Sequence, residues 1–183
     1  MALQHFFKSI FSRSQTPTLL DEGIWKSSLQ VADDYIRKRK DVEVNRRFHI
    51  AMAFASALIH MADRIAFETI PAKRAEVMDR LMIGVALRAA EEAIGLGAES
   101  GSKERLVESA LTEINQATQF YGQCKKVSAE HDEPMKGTFL WEFGKRFAEA
   151  TNHPMDIAFV TVGPRILVQL ATAIKLPQRV ISY

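Results

Sequence analysis

The sequence predicts an all-α fold: a single-domain helical bundle of about five to seven helices. Long antiparallel core helices would form the bundle, with a short amphipathic helix at the N-terminus. Apolar side chains recur every three or four residues along several long segments, which is the period of one helix face. No convincing β-hairpin alternation interrupts these segments, and short polar loops join them, as in a helical bundle.

Composition supports one soluble domain. Of the 183 residues, 47% are hydrophobic and 25% are charged, and no linker divides them, so we expect a single domain over 1–183. A net charge of +2, without zinc-finger spacing or an RNP-like motif, argues against a nucleic-acid partner. The single cysteine, Cys124, excludes an internal disulfide and a multi-cysteine metal site. We expect a cytoplasmic protein without a cofactor.

Four helices are predicted in the first half of the chain. Residues 1–15 form the amphipathic N-terminal segment, and a loosely patterned helix follows over about 19–40. A long helix reaches residue 68 and ends at "TIP", because a residue before proline avoids helical geometry. Pro71 suits the first position of the next helix, which reaches a loop at 95–102.

Three more helices are predicted in the second half. The best-patterned one covers about 103–128, and Cys124 on its apolar face is expected to be a packing residue. After a loop at 128–137, an aromatic-rich helix follows from about 139. The last segment, 154–175, is predicted as a helix kinked at its Gly-Pro pair. Its β-branched residues leave a strand at 157–162 as an alternative.

The stretch "RFHIAMAFASALIHMADR" (47–64) places histidines in an apolar helix. At about 100° per residue, bulky apolar residues occupy one side of this helix and alanines lie beside them. The polar residues form a stripe nearly opposite the bulky side, and they are Asn45, His49, Ser56, His60 and Asp63. The favoured interpretation is a solvent-facing stripe with a local His60–Asp63 hydrogen bond. The alternative is a slot between helices that holds a small ligand.

This stripe does not predict catalysis. Ser56, His60 and Asp63 lie side by side, but mid-helix N–H groups are already hydrogen-bonded and cannot form an oxyanion hole. His60 and Asp63 could supply two metal ligands, yet His49 lies three turns away and no further ligands are indicated. We therefore predict neither a catalytic residue nor a metal site. The acids of "EHDEP" (130–134) are expected to be solvated, with a cation site as the alternative.

Two segments indicate a contact with another surface. One face of the N-terminal segment carries five large apolar side chains, Leu3, Phe6, Phe7, Ile10 and Phe11. We expect the protein's own core or a dimer partner to cover them, with an interfacial membrane helix as the alternative. The basic run Arg37, Lys38, Arg39 and Lys40 either complements a helix end or adds to an anionic membrane contact. The acid-free start is also loosely similar to an organellar targeting segment.

These patterns favour a non-catalytic interaction or regulatory protein, adaptor-like and self-associating, with a protein partner or a homodimer. One alternative is a helical-bundle carrier or sensor that holds a small apolar ligand in a slot lined by His49 and His60. Another is a protein peripheral to the membrane through its N-terminal helix. An enzyme with a site assembled from loops ranks last.

Overall fold

A computed structural model of the protein describes residues 19–97, 103–125, 136–154 and 156–183. These residues form seven α-helices and no strand, which confirms the predicted all-α bundle. The helices are α1 (Leu20–Lys38), α2 (Arg47–Thr69), α3 (Arg74–Gly95), α4 (Lys103–Gly122), α5 (Phe139–Ala150), α6 (Ile157–Ala173) and α7 (Leu176–Ser182). Short 3-10 turns at Val44–Arg46 and Pro71–Lys73 lead into α2 and α3. The predicted N-terminal helix, 1–15, lies outside the described residues.

The segment 157–162 is helical, so the strand alternative is wrong. The Asp156 carboxylate accepts a hydrogen bond from the Ala158 N–H at 2.8 Å and caps the first turn of α6. The helix then continues past Pro164 to Ala173. Burial of apolar side chains such as Phe159 outweighs the weak strand preference of the β-branched residues.

Two boundaries differ from the sequence prediction. Helix α4 ends at Gly122 rather than near 128, and the Lys125 N–H donates to the Gly137 carbonyl at 3.0 Å. The chain therefore turns back toward α5 earlier than the apolar pattern indicated. At the other end, Lys175 adopts a left-handed conformation with φ of 53° and separates α6 from the unpredicted helix α7.

Helix α2 is the central element of the bundle, because it contacts each of the other six described helices. Its bulky side buries Ile50, Phe54 and Leu58 completely. The alanine side is also fully buried, because small side chains let neighbouring backbones approach closely. Both apolar sides seen in the sequence therefore pack into one core.

Ion pairs connect α2 with its neighbours. Arg47, at the start of α2, pairs with Asp33 of α1 and Glu92 of α3. Near the other end, the Arg74 guanidinium donates to both carboxylate oxygens of Asp63 at 2.7 and 2.8 Å. These contacts fix how α1, α2 and α3 lie against one another.

By length and composition, one described helical stretch, Val44–Thr69, could cross a membrane. The α6–α7 pair passes the same test together, with a bend of 49° between the two helices. In the first stretch, 67% of the most apolar window is buried inside the bundle, as expected of a core helix.

A glycine sets the distance between α5 and α6. A Cβ atom added at Gly144 would lie 2.0 Å from the backbone oxygen of Val160, far inside van der Waals contact. The two helices therefore pack backbone to backbone at this point. Phe143 and Phe147, on either side of the glycine, are fully buried against Phe54 of α2.

We predict that Gly144→Ala lowers the free energy of unfolding by about 3 kcal/mol, because α6 must move away to admit the methyl group. Gly122→Ala is the matched control, since nothing lies within 4 Å of a Cβ atom there. Urea unfolding of both variants measures the difference. Equal stability of Gly144→Ala and the wild type would contradict this α5–α6 packing.

Candidate ligand-binding site

The polar stripe of α2 is divided between solvent and the interior. His49 is exposed, whereas Ser56 and His60 keep only 2% and 5% of their surface accessible. The solvent-facing interpretation is therefore wrong for Ser56 and His60. The reason is the central position of α2, since α4 and α5 also cover its polar side.

His60 lies in an aromatic environment. Its ring centroid is 5.5 Å from that of Tyr121 on α4 and 4.8 Å from that of Phe139 on α5. Burial lowers the pKa of His60 to about 4, although the Asp63 carboxylate partly opposes this shift. The imidazole is therefore neutral at physiological pH.

The predicted hydrogen bond between His60 and Asp63 does not form. Asp63 accepts from Arg74 instead, through both carboxylate oxygens. The buried Nδ1 atom of His60 has no hydrogen-bond partner among the described residues. A neutral imidazole nitrogen can donate or accept according to its tautomer, so this atom offers one unused hydrogen-bonding position.

Three further buried hydroxyls, on α2 and α4, also lack a protein partner in the described residues. Within the described parts of the chain, no hydrogen bond reaches Ser56 Oγ, Thr118 Oγ1 or the hydroxyl of Tyr121. An unpaired buried polar group costs about 1–3 kcal/mol, so a cluster of them calls for a bound partner such as water or a ligand. These groups belong to α2 and α4, which meet here.

Two clefts lie where α2 meets α4 and α5. We name the first one the histidine cleft, and its volume is about 680 Å³. Its wall combines His60 and Tyr121 with apolar side chains of α2 and α5, namely Met61, Ile65, Phe139 and Leu140. Arg64, Glu68 and Lys125 supply charge at its edge. Leu140 and Val168 also border a second apolar hollow of about 540 Å³ beside Trp141 and Pro164, which we name the α5–α6 groove.

The second cleft, the arginine cleft, has a volume of about 250 Å³ and is mainly polar. Tyr121 lines both clefts, whereas the other polar groups of the arginine cleft are Arg46, His49, Ser56, Glu113, Arg146 and Glu149. His49 and His60 therefore line different clefts and not one common slot.

The charged groups of the arginine cleft form no ion pair within the part of the chain that the structure describes. The Arg146 guanidinium lies 5.0 Å from the ring centroid of Phe120 and 5.4 Å from that of Tyr121. The pKa of Glu113 lies above its ordinary value, chiefly because surrounding protein desolvates the carboxylate, although His49 and Arg146 lower it. Glu113 lines the cleft, but as a whole residue it is exposed.

The three- and four-residue spacing puts Tyr121 on the same apolar stripe of α4 as Cys124, but the sequence did not identify Phe139, Glu113 or Arg146 as site residues. Tyr121 is indeed almost completely buried, with only 2% of its surface accessible. The available signal was its hydroxyl, which needs a partner when the residue occupies an apolar stripe. The other three residues become neighbours only through the packing of α4 and α5 against α2.

The arginines of the predicted basic contact surface form ion pairs with acids of the same chain. Arg37 pairs with Asp34, and Arg39 donates to both carboxylate oxygens of Asp41 at 2.9 and 2.7 Å. Arg39 also lies 4.5 Å above the ring centroid of Phe159. Lys38 and Lys40 are exposed. The five apolar residues of the N-terminal segment lie outside the described residues.

The described residues contain no cluster of side chains that would support the alternative of a metal site. Among the described residues, no group of three or more His, Cys, Asp or Glu side chains could hold a metal ion. The acidic stretch 130–134 lies outside these residues. Cys124 is half-buried, and burial raises the pKa of its thiol, which leaves it protonated and weakly reactive.

Comparison with protein-family models, curated proteins and solved structures finds no match for this chain. The proposed function therefore rests on the geometry and chemistry of the two clefts.

We predict that His60 makes the protein less stable in acid. Its folded pKa of about 4 lies below the ordinary value of 6.5, so the unfolded chain binds a proton between these values that the folded chain does not. The neutral His60 therefore contributes fully to the free energy of unfolding well above pH 6.5. This contribution decreases as the pH falls, by roughly 2 kcal/mol between about pH 7.5 and pH 5.

Urea unfolding of the wild type and His60→Leu at both pH values isolates this contribution. The leucine variant should lose about 2 kcal/mol less than the wild type on acidification. His49→Leu, at an exposed position of the same helix, should retain the wild-type pH dependence. An identical loss in the wild type and His60→Leu would contradict the burial of His60.

Proposed function

We propose that this protein is a helical-bundle carrier or sensor that binds a small, largely apolar molecule in the histidine cleft. One observation carries this proposal: the unpaired Nδ1 atom of His60 is buried beside a cleft with mainly apolar walls. Ligand sites of this kind combine apolar contact area with a few polar groups that orient the ligand.

The dimensions of the cleft support this proposal. Its volume of about 680 Å³ falls within the usual range for small-molecule sites of roughly 300–1,000 Å³. The α5–α6 groove continues the apolar surface beyond Leu140 and Val168. An elongated ligand would therefore place one polar group at His60 and its apolar part along α5 and α6.

The neutral state of His60 defines the polar group of the ligand. An uncharged imidazole contributes a single hydrogen bond rather than an ion pair. A ligand carrying one neutral hydrogen-bonding group, such as an N–H or O–H donor for the tautomer in which Nδ1 accepts, matches it, because a neutral group costs far less to remove from water than a charged one.

The interaction and peripheral-membrane functions stay predictions, as do self-association and the cytoplasmic location. Their main support is the N-terminal segment, which lies outside the described residues. Arg37 and Arg39 already pair with acids of the bundle, which reduces the charge available to a partner or a membrane. The ligand-binding function has the more specific support.

The first test blocks the cleft. N-phenyl-1-naphthylamine is a neutral, apolar fluorescent probe with one N–H group, and we expect it to bind with micromolar affinity. Val168→Trp adds a bulky side chain where the cleft meets the α5–α6 groove, at a position that is 45% exposed. We expect probe affinity to fall about tenfold in this variant, because the indole occupies ligand space.

Thr172→Trp is the matched control, because it adds the same side chain at an exposed position one turn further along α6. Its probe affinity should equal that of the wild type. Absence of saturable probe binding, or equal affinity in Val168→Trp and the wild type, would overturn the proposed site.

The second test concerns the hydrogen bond to His60. 1-Benzylnaphthalene has nearly the same shape as the probe but no N–H group. Wild-type protein should bind the amine about three- to tenfold more tightly, and His60→Leu should bind both compounds alike. Displacement of the fluorescent probe measures both affinities. A preference that persists in His60→Leu would show that another group orients the ligand.

A further inference from the structure

We propose that the arginine cleft is a second binding site, which takes a small molecule through a carboxylate or phosphate group. This site is distinct from the histidine cleft in its lining and in the chemistry of its ligand. The two clefts have Tyr121 in common, but Arg46, Ser56 and Arg146 line only the polar one.

The innermost polar groups of the arginine cleft are hydroxyls that lack a protein partner. Ser56 and Tyr121 each keep only 2% of their surface accessible, and both line the cleft. Neither hydroxyl has a hydrogen-bond partner in the described residues. Each hydroxyl could donate a hydrogen bond to an oxyanion. That bond would offset the free-energy cost of burying the hydroxyl without a partner.

Two arginines supply positive charge toward the same cleft. Neither the Arg46 nor the Arg146 guanidinium forms an ion pair with any acid in the described part of the chain. Arg146 is held by stacking on Phe120 and Tyr121, which orients the guanidinium without using its N–H donors. A planar, oriented guanidinium with unused donors can form bidentate hydrogen bonds with a carboxylate or a phosphate.

The acids at this cleft form no ion pair with its two arginines within the described parts of the chain. Glu149 lies at an exposed position, where water screens its carboxylate. Burial raises the pKa of Glu113, although His49 and Arg146 oppose this shift. An anion that binds to Arg46 and Arg146 would therefore displace no existing ion pair from their N–H donors.

The cleft volume of about 250 Å³ limits the ligand to a small molecule or to the charged end of a larger one. Inorganic phosphate and acetate are suitable probes, because each presents one of the two candidate groups without other recognition elements. Chloride at equal ionic strength is the reference for both. The anion whose stabilising effect depends more strongly on Arg146 and Ser56 identifies the preferred group.

The test measures the thermal unfolding temperature of the full chain in each anion. At an anion concentration about tenfold above the Kd, we expect the wild type to gain about 3–6 °C over chloride. Phosphate also stabilises proteins without binding them, so the informative quantity is the difference between the wild type and each variant. Arg146→Gln and Ser56→Ala should lose most of the specific gain.

Ser56→Ala separates binding from folding. Removal of an unpaired hydroxyl in a helix should leave the unfolding temperature in chloride unchanged or higher, while the gain from the anion decreases. Arg105→Gln, an exposed arginine of α4 that lines neither cleft nor the α5–α6 groove, is the charge-matched control and should retain the wild-type gain.

Equal anion effects in the wild type, Arg146→Gln and Ser56→Ala, up to about 50 mM of either anion, would overturn the proposed second site. Binding of N-phenyl-1-naphthylamine by the same variants distinguishes the two proposals. Intact probe binding without an anion effect removes only the second site. An anion effect without probe binding removes only the proposed function in the histidine cleft.

Discussion

Helix α2 contacts each of the other six described helices, so the middle of its polar face, at Ser56 and His60, is buried like its apolar sides. A surface helix can leave its polar face to water, but a central helix must find protein partners for that face or leave it unpaired. Arg47 and Asp63, near the ends of α2, are paired with neighbouring helices. Ser56 and His60, in its middle, are not. The candidate sites follow from this contrast.

The arrangement of the helices was largely predictable from the apolar pattern. The three- and four-residue spacing of apolar residues marked α2, α3 and α4, and "TIP" marked the break before Pro71. The pattern did not indicate that α4 ends at Gly122, since residues beyond it continue the apolar spacing. Just beyond that end, the Lys125 N–H donates to the carbonyl of Gly137, which lies further along the chain. Local periodicity cannot report such a contact.

The site was only partly predictable, for a related reason. The sequence identified Ser56 and His60 as neighbours on one side of a helix, because spacing within a helix fixes relative angles. It could not indicate whether another helix covers that side. His60 becomes a buried neutral base only through Tyr121 of α4 and Phe139 of α5. The same packing separates His49 from His60 into different clefts.

Unpaired groups in a buried position link ligand binding to stability. The empty protein bears the cost of leaving the His60 nitrogen and the Tyr121 hydroxyl unsatisfied, at about 1–3 kcal/mol for each group. A bound molecule that pairs with them recovers part of this cost, and that gain adds to the affinity. Since only the folded chain brings α2, α4 and α5 together, the same gain favours folding. We therefore expect an apolar replacement at these positions to stabilise the ligand-free bundle and to weaken ligand binding. This is the usual trade-off between stability and function at a binding site.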